Sequence, residues 1–218
     1  MKTIKVLHLY HDLMNLSGDN GNMVAIKDAL ERQKVNYTID YLSIGDKIDF
    51  NKYNLIYVGN GSRENQELAR RDLLKYKLQL NKIFKNKLII ATGNALELFG
   101  KTIDNKECLN LLPFKTMYLK EYVVEEKIVH SDELDMDIIE FINRNSESSI
   151  NKDFFIDNNS IHTYNFYGTY ALGPLLIRNP LLLNKFIERV LSDQDIKYQE
   201  DNNTADMLAY NEYIKNKK

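Results

Sequence analysis

Cysteine is nearly absent from this chain of 218 residues, which holds only Cys108. A single thiol excludes an internal disulfide framework and any cysteine-rich zinc site. Histidine is scarce as well: His8, His11, His130 and His162 are the full set. None forms an HxxxH pair or stands beside a carboxylate cluster in a recognised motif, so neither metal nor cofactor is expected. The chain also lacks an excess of one charge. Its net charge of -2 gives no electrostatic case for nucleic acid or an anionic membrane. No apolar run approaches the ~20 residues that a membrane span needs. There is no Walker-type phosphate loop, internal repeat, linker or low-complexity segment. Residues 1–6 enter a strand-like pattern directly, without a signal peptide's cleavage site, and the expected compartment is the cytoplasm.

What is present is ordinary globular material, 44% apolar and 28% charged. The length suits one α/β domain over 1–218 with a substantial core. Residues 3–10, 35–42, 54–58 and 87–91 read as strands. Helical spacing marks 23–32 and 68–84, the latter with Leu73, Leu74, Leu78 and Leu80 available for its buried side. A short helix over 95–99 ends at Gly100. Near-continuous apolar strands alternating with helices predict a mostly parallel sheet covered on both faces. In such sheets ligands bind beyond the carboxyl ends of the strands. The polar loops 17–22, 59–66 and 92–94 fall at those ends. Asp19 is placed to cap the helix that follows it.

The second half is richer in β-structure. Alternation runs over 116–129, most clearly from 122. Short strands are expected at 137–141 and 153–156, and helices at 181–191 and 205–214. The aromatic group Tyr164, Phe166, Tyr167 and Tyr170 reads as packing rather than as a stacking platform.

Four segments, in order, resemble one family. Asn15-Leu16-Ser17-Gly18-Asp19-Asn20-Gly21-Asn22 resembles an Asn-Leu-x-x-Asp-x-Gly-Asn segment. Gly59-Asn60-Gly61-Ser62 and the residues after it resemble a loop that is usually Gly-Gly-Gly with a polar run. The segment 139–144 resembles Gly-Phe-Glu-Asn-His, and 168–174 resembles Gly-Thr-Tyr-x-His-Gly-Pro. These are segments of the CobB/CobQ-like class I glutamine amidotransferases, most closely the GatD-type subunit of lipid II isoglutaminyl synthase. The resemblance implies a flavodoxin-like three-layer α/β/α sandwich.

Glutamine hydrolysis in that family needs a thiolate nucleophile, a histidine base and backbone N–H donors for the oxyanion. The thiol sits on a tight strand-to-helix turn, in Cys-Gly-Gly-Tyr-Gln-x-x-Gly. Counting back from Gly100 places Gly93 at the cysteine; one inserted residue places Thr92 there. A positive φ at Gly93 would favour the Thr92 register, because a Cβ is costly in that conformation. The histidine position carries Leu172, and Arg144 replaces the histidine of the Asn-His segment. Thr92, Gly93 and Leu172 are therefore degenerate catalytic positions. The expected binding set is Asn60, Gly61, Ser62, Thr92, Gly93, Asn94 and Arg144, with Gly59-Asn60-Gly61 still presenting backbone donors. Cys108 and His162 are expected to be structural.

The resemblance implies a Mur-ligase-like protein as partner. It leaves three readings open: a non-catalytic subunit, an active glutaminase subunit, and a module that binds glutamine or a related small molecule.

Overall fold

The computed structural model describes residues 2–149, 159–200 and 204–217. Its main sheet follows from four apolar segments. Strands β1 (Thr3–Leu9), β3 (Leu55–Val58) and β4 (Leu88–Thr92) are almost wholly buried, whereas β2 (Asn36–Leu42) alternates and lies at an edge. These strands pair in parallel, in the order β2-β1-β3-β4, and β10 (Phe166–Thr169) adds in parallel beside β4. β9 (Ser160–Thr163) closes the far edge antiparallel to β10. Helices cover both faces, giving a flavodoxin-like three-layer α/β/α sandwich. α1 (Asn20–Arg32), α4 (Leu175–Arg178) and α5 (Pro180–Ser192) pack together, and α5 also meets β4.

The expected helix over 68–84 is two helices. α2 (Arg63–Leu74) begins earlier because the Ser62 side chain accepts a hydrogen bond from the Asn65 N–H and caps it. It ends where Lys75 and Tyr76 donate to the carbonyls of Asp72 and Leu73, a tight turn that separates it from α3 (Lys77–Ile83). The break changes which side faces inward: Leu73 and Leu80 are buried, but Leu78 is 80% exposed. Residues Gly93–Phe99 form a 3-10 helix. Gly100 does not end it in the left-handed conformation, since its φ is -71°. A Cβ there would clash with the Phe114 ring, so close packing is what requires glycine.

The second half carries a smaller sheet, β6-β5-β7-β8. β5 (Thr102–Ile103) and β6 (Lys106–Glu107) are short. β7 (Lys115–Ser131) and β8 (Met136–Ser149) form a long antiparallel hairpin, so the short strand expected at 137–141 runs on to Ser149. Their register shifts between Tyr118 and Val123, opposite Asn145. A bulge of this kind bends the ladder and re-aims side chains. β8 is tied to the main sheet's last loop: Leu172 N–H donates to the Phe141 carbonyl at 2.8 Å, and the Asn179 amide bonds both backbone groups of Ile139. α6 (Ala205–Lys217) packs against α5 and the Ile139 end of the hairpin. The strand expected at 153–156 lies outside the described residues. Of the aromatic group, Phe166, Tyr167 and Tyr170 are buried, while Tyr164 sits in a turn with φ +53° and is 60% exposed.

Among the described residues, no helix is long and apolar enough to cross a membrane.

Candidate functional site

The loops after β1, β3, β4 and β10 meet at one end of the main sheet. They enclose, with β8, a cavity of about 570 Å³. Asn60, Gly61, Ser62, Gly93, Asn94, Arg144 and Leu172 all line it. Gly93 and Leu172, placed at the missing thiol and imidazole by the sequence, thus share one wall space although 79 residues apart in the chain. Thr92 does not line it. Its hydroxyl is buried, donating to Asp19 at 3.0 Å and lying 2.8 Å from the Tyr57 hydroxyl. A residue at the end of β4 alternates to the opposite side from its successor, so Thr92 faces the core and Gly93 the cavity.

Gly93 has φ +61°, as a sharp strand-to-helix turn requires. That conformation penalises any side chain, yet the position with a side chain, Thr92, points away. Neither register places a nucleophile in the cavity. Cys108 lies elsewhere, fully buried, and burial pushes its thiol up to about 12. His162 is on β9 beside Glu133, and His11 packs against His8 and Tyr41. Among the described residues no imidazole lines the cavity, and no group of His, Cys, Asp and Glu could hold a metal.

Asp19 organises the loops. It does not cap α1 with its side chain. Instead its buried carboxylate accepts from the backbone N–H of Ser17 and Asn60 and from the hydroxyls of Tyr57 and Thr92, at 3.0 to 3.1 Å. Burial raises its pKa; the hydrogen bonds pull the other way. The loop after β3 packs so closely on this segment that a Cβ on Gly59 would fall 2.6 Å from the Asp19 carboxyl carbon.

Two of the backbone donors expected at 59–61 are already engaged. Asn60 N–H is held by Asp19, and Gly61 N–H donates to the Asn94 side-chain oxygen at 3.0 Å. Asn94 N–H donates to the Asn60 side-chain oxygen, also at 3.0 Å. An oxyanion needs free donors aimed at it, and here those three are satisfied internally.

The opposite wall is cationic and polar. Arg144, on β8, lies over the Tyr170 ring at 4.9 Å and donates to the Ser146 carbonyl. Its buried Nε has no hydrogen-bond partner among the described residues. Arg63, at the start of α2, lies 4.0 Å over the Tyr118 ring. The register shift in the hairpin places Tyr122, Asn145 and Ser146 beside them.

Sequence reasoning missed Glu97. It is wholly buried behind the cavity, where Gln66 Nε2 donates to it at 2.7 Å and the Ser146 hydroxyl donates to its other oxygen. The ungapped register from Gly100 could have found it, since it puts Glu97 at the glutamine of Cys-Gly-Gly-Tyr-Gln. Burial raises its pKa, against these hydrogen bonds and nearby Arg144. A carboxyl with a raised folded-state pKa stabilises fully below its unfolded value and loses that contribution as pH rises through the folded one. Glu97→Gln keeps the shape, accepts from Gln66 and donates to Ser146. It is expected to stabilise the protein by about 1 kcal/mol near neutrality, with a gain that grows as pH rises above the ordinary carboxyl value of 4.5. Urea midpoints of the two proteins at a series of pH values from acid to mildly alkaline check this; a gain independent of pH would show that Glu97 is ionised in the fold throughout.

No family model matches the chain. It is similar to two curated proteins, each a lipid II isoglutaminyl synthase (glutamine-hydrolyzing) subunit GatD. That of Streptococcus pneumoniae is 25% identical over 219 residues, covering 91% of this chain and 83% of that protein. That of Staphylococcus aureus is 24% identical over 229 residues, covering 96% and 94%. Among solved structures, PurLQS from Thermotoga maritima superposes with a TM-score of 0.53 at 13% identity, over 88% of this chain and 97% of that one. The glutaminase domain of Trypanosoma brucei CTPS with bound acivicin gives 0.52 at 10% identity, over 90% and 96%. The fold is that of the glutamine amidotransferases, and the resemblance to the GatD-type subunits spans nearly the whole chain.

Proposed function

We propose that this relative of the GatD-type subunits is a glutamine amidotransferase-like protein without glutaminase activity. In this reading residues 1–218 form one domain in the cytoplasm, a structural or regulatory partner of a Mur-ligase-like protein in lipid II amidation. The observation that carries it is the cavity that Gly93 and Leu172 both line, without a thiol or an imidazole. The satisfied N–H groups of Asn60, Gly61 and Asn94 support it further. One buried core drawing on both sheets, from Ile4 through Phe114 to Ile142, supports the single domain. The rim of the cavity exposes Leu16 and Tyr122, at 68% and 66%, which suits a protein surface that docks there.

Two alternatives have their own support. The likeness to two glutamine-hydrolyzing GatD subunits favours an active ammonia-supplying subunit. The open cavity with Arg63 and Arg144 favours a module that binds glutamine or a related small molecule.

Ammonia release from glutamine separates the first two readings. The purified protein, alone and with a Mur-ligase-like partner, is expected to match the uncatalysed background. Loss of one member of a nucleophile–base unit usually lowers the rate by several orders of magnitude, and loss of the second adds little. A turnover abolished by Cys108→Ser would overturn the reading, because it would place the nucleophile at a thiol that the fold buries. Isothermal titration with glutamine tests the binding module.

A further inference from the structure

We infer that the Asn60 side chain is a built-in occupant of a primary-amide subsite, closing that part of the cavity with the chain's own carboxamide. The inference rests on the amidotransferase-like reading of the cavity and adds what fills it. Asn60 sits on the short loop after β3, held by its own backbone: its N–H donates to Asp19, and its carbonyl accepts from Leu16 N–H at 2.9 Å. The side chain reaches across to the turn after β4. Its oxygen accepts the Asn94 N–H at 3.0 Å, and its NH2 donates to the Ser17 hydroxyl at 2.9 Å.

Those two partners are what a bound carboxamide needs, one donor for its oxygen and one acceptor for its nitrogen. The space is also the space a side chain at 93 would take. A Cβ built on Gly93 falls 2.6 Å from both Cβ and Cγ of Asn60. The two side chains exclude each other: with Asn60 in place the chain has no room for one at 93.

Removal of the Asn60 side chain leaves the Asn94 N–H and the Ser17 hydroxyl facing a void of carboxamide shape. Such a void binds the group removed from it when that group is supplied in solution. Acetamide reproduces the Asn60 side chain atom for atom. It is expected to raise the melting midpoint of Asn60→Gly by an amount that grows with the logarithm of its concentration, and that of Asn60→Ala less, because the remaining Cβ fills the place of its methyl. Acetate, which lacks the NH2, is expected to do less. The native protein and Asn60→Asp, which keeps a side chain of the same shape there, are expected not to respond beyond the general solvent effect.

A second measurement reads the covered position directly, with the rate at the thiol introduced at position 93 followed by mass spectrometry apart from that at Cys108. Gly93→Cys combined with Asn60→Gly is expected to react with iodoacetamide at least tenfold faster than Gly93→Cys alone, in which Asn60 covers the thiol. Equal acetamide responses in the native and opened proteins would overturn the inference, and so would equal alkylation rates.

L-Glutamine distinguishes this inference from the reading on which it rests. Binding to Asn60→Gly at least tenfold tighter than to the native protein supports both. Acetamide rescue without glutamine binding to either protein keeps the plug and removes the glutamine-site reading. Equal glutamine binding to both keeps the site and removes the plug.

Discussion

Replacement of Asp19 by alanine is expected to destabilise the protein by about 3–5 kcal/mol, because four donors lose their acceptor at once. The carboxylate receives two backbone N–H groups and two hydroxyls in a region from which solvent is excluded. A buried donor left unmet costs roughly 1–3 kcal/mol. Part of that is regained here, since the Tyr57 and Thr92 hydroxyls lie 2.8 Å apart and can serve one another. The backbone donors of Ser17 and Asn60 have no such alternative among the described residues. Asp19→Asn should fall between the two proteins: its oxygen still serves Asn60, Tyr57 and Thr92, but its NH2 faces the Ser17 N–H, donor against donor. Urea unfolding of the three proteins gives the order, and amide hydrogen exchange at Ser17 and Asn60 localises the loss. A cost for Asp19→Ala below about 1 kcal/mol would mean that the loops hold together without their carboxylate.

The second large effect is expected at low pH. His8 lies on β1 with no exposed surface, packed against the rings of His11, Tyr41 and Tyr57, and neither ring nitrogen has a hydrogen-bond partner among the described residues. Burial, with the neighbouring His11, lowers its pKa from 6.5 to about 4. Between those values the unfolded chain binds a proton that the folded one refuses, so stability rises with pH there and is lost as pH falls from 6.5 to 4. The loss from this group approaches about 3 kcal/mol at the acid end. His8→Leu removes the titrating group and is expected to differ little from the native protein at pH 7.5. At pH 4 it should be more stable by about 2–3 kcal/mol. Denaturation curves at pH 7.5, 5.5 and 4 test this. Parallel decline of the two proteins would assign the acid lability to other groups.

The sheet was legible because its strands are buried on both sides. Segments such as Leu-Ile-Tyr-Val at 55–58 and Leu-Ile-Ile-Ala at 88–91 admit little else at that length, and each ends in a polar turn. The convergence of Gly61, Gly93 and Leu172 on one cavity was legible for the same reason, since parallel strands carry their loops to one edge. Other features depend on partners distant in sequence. The break at Lys75 has no glycine or proline to announce it, and it lies next to Asp72, which accepts from the buried Tyr10 hydroxyl 62 residues away. Asp19 reads locally as a helix cap, and only the arrival of β3 and β4 turns its carboxylate to Asn60, Tyr57 and Thr92. Arg144 was found through its segment, but its stacking on Tyr170, 26 residues away, and the register shift opposite its neighbour Asn145 are encoded by no local pattern.

The cavity also has a place in the order of folding. Its floor comes from loops joined by short connections through the first hundred residues. Its far wall needs β10 to insert beside β4, pairing Phe166 with Ile89 across the whole intervening hairpin. Closing so long an interval carries an entropic cost that nearby strand pairs escape, and topologies of this kind fold slowly. Contacts made by Arg144 and Leu172 therefore belong to the later part of the reaction. Changes there are expected to slow the assembly of the cavity as well as to speed its opening, so the wall that lacks the histidine is also the one that sets how readily the site forms.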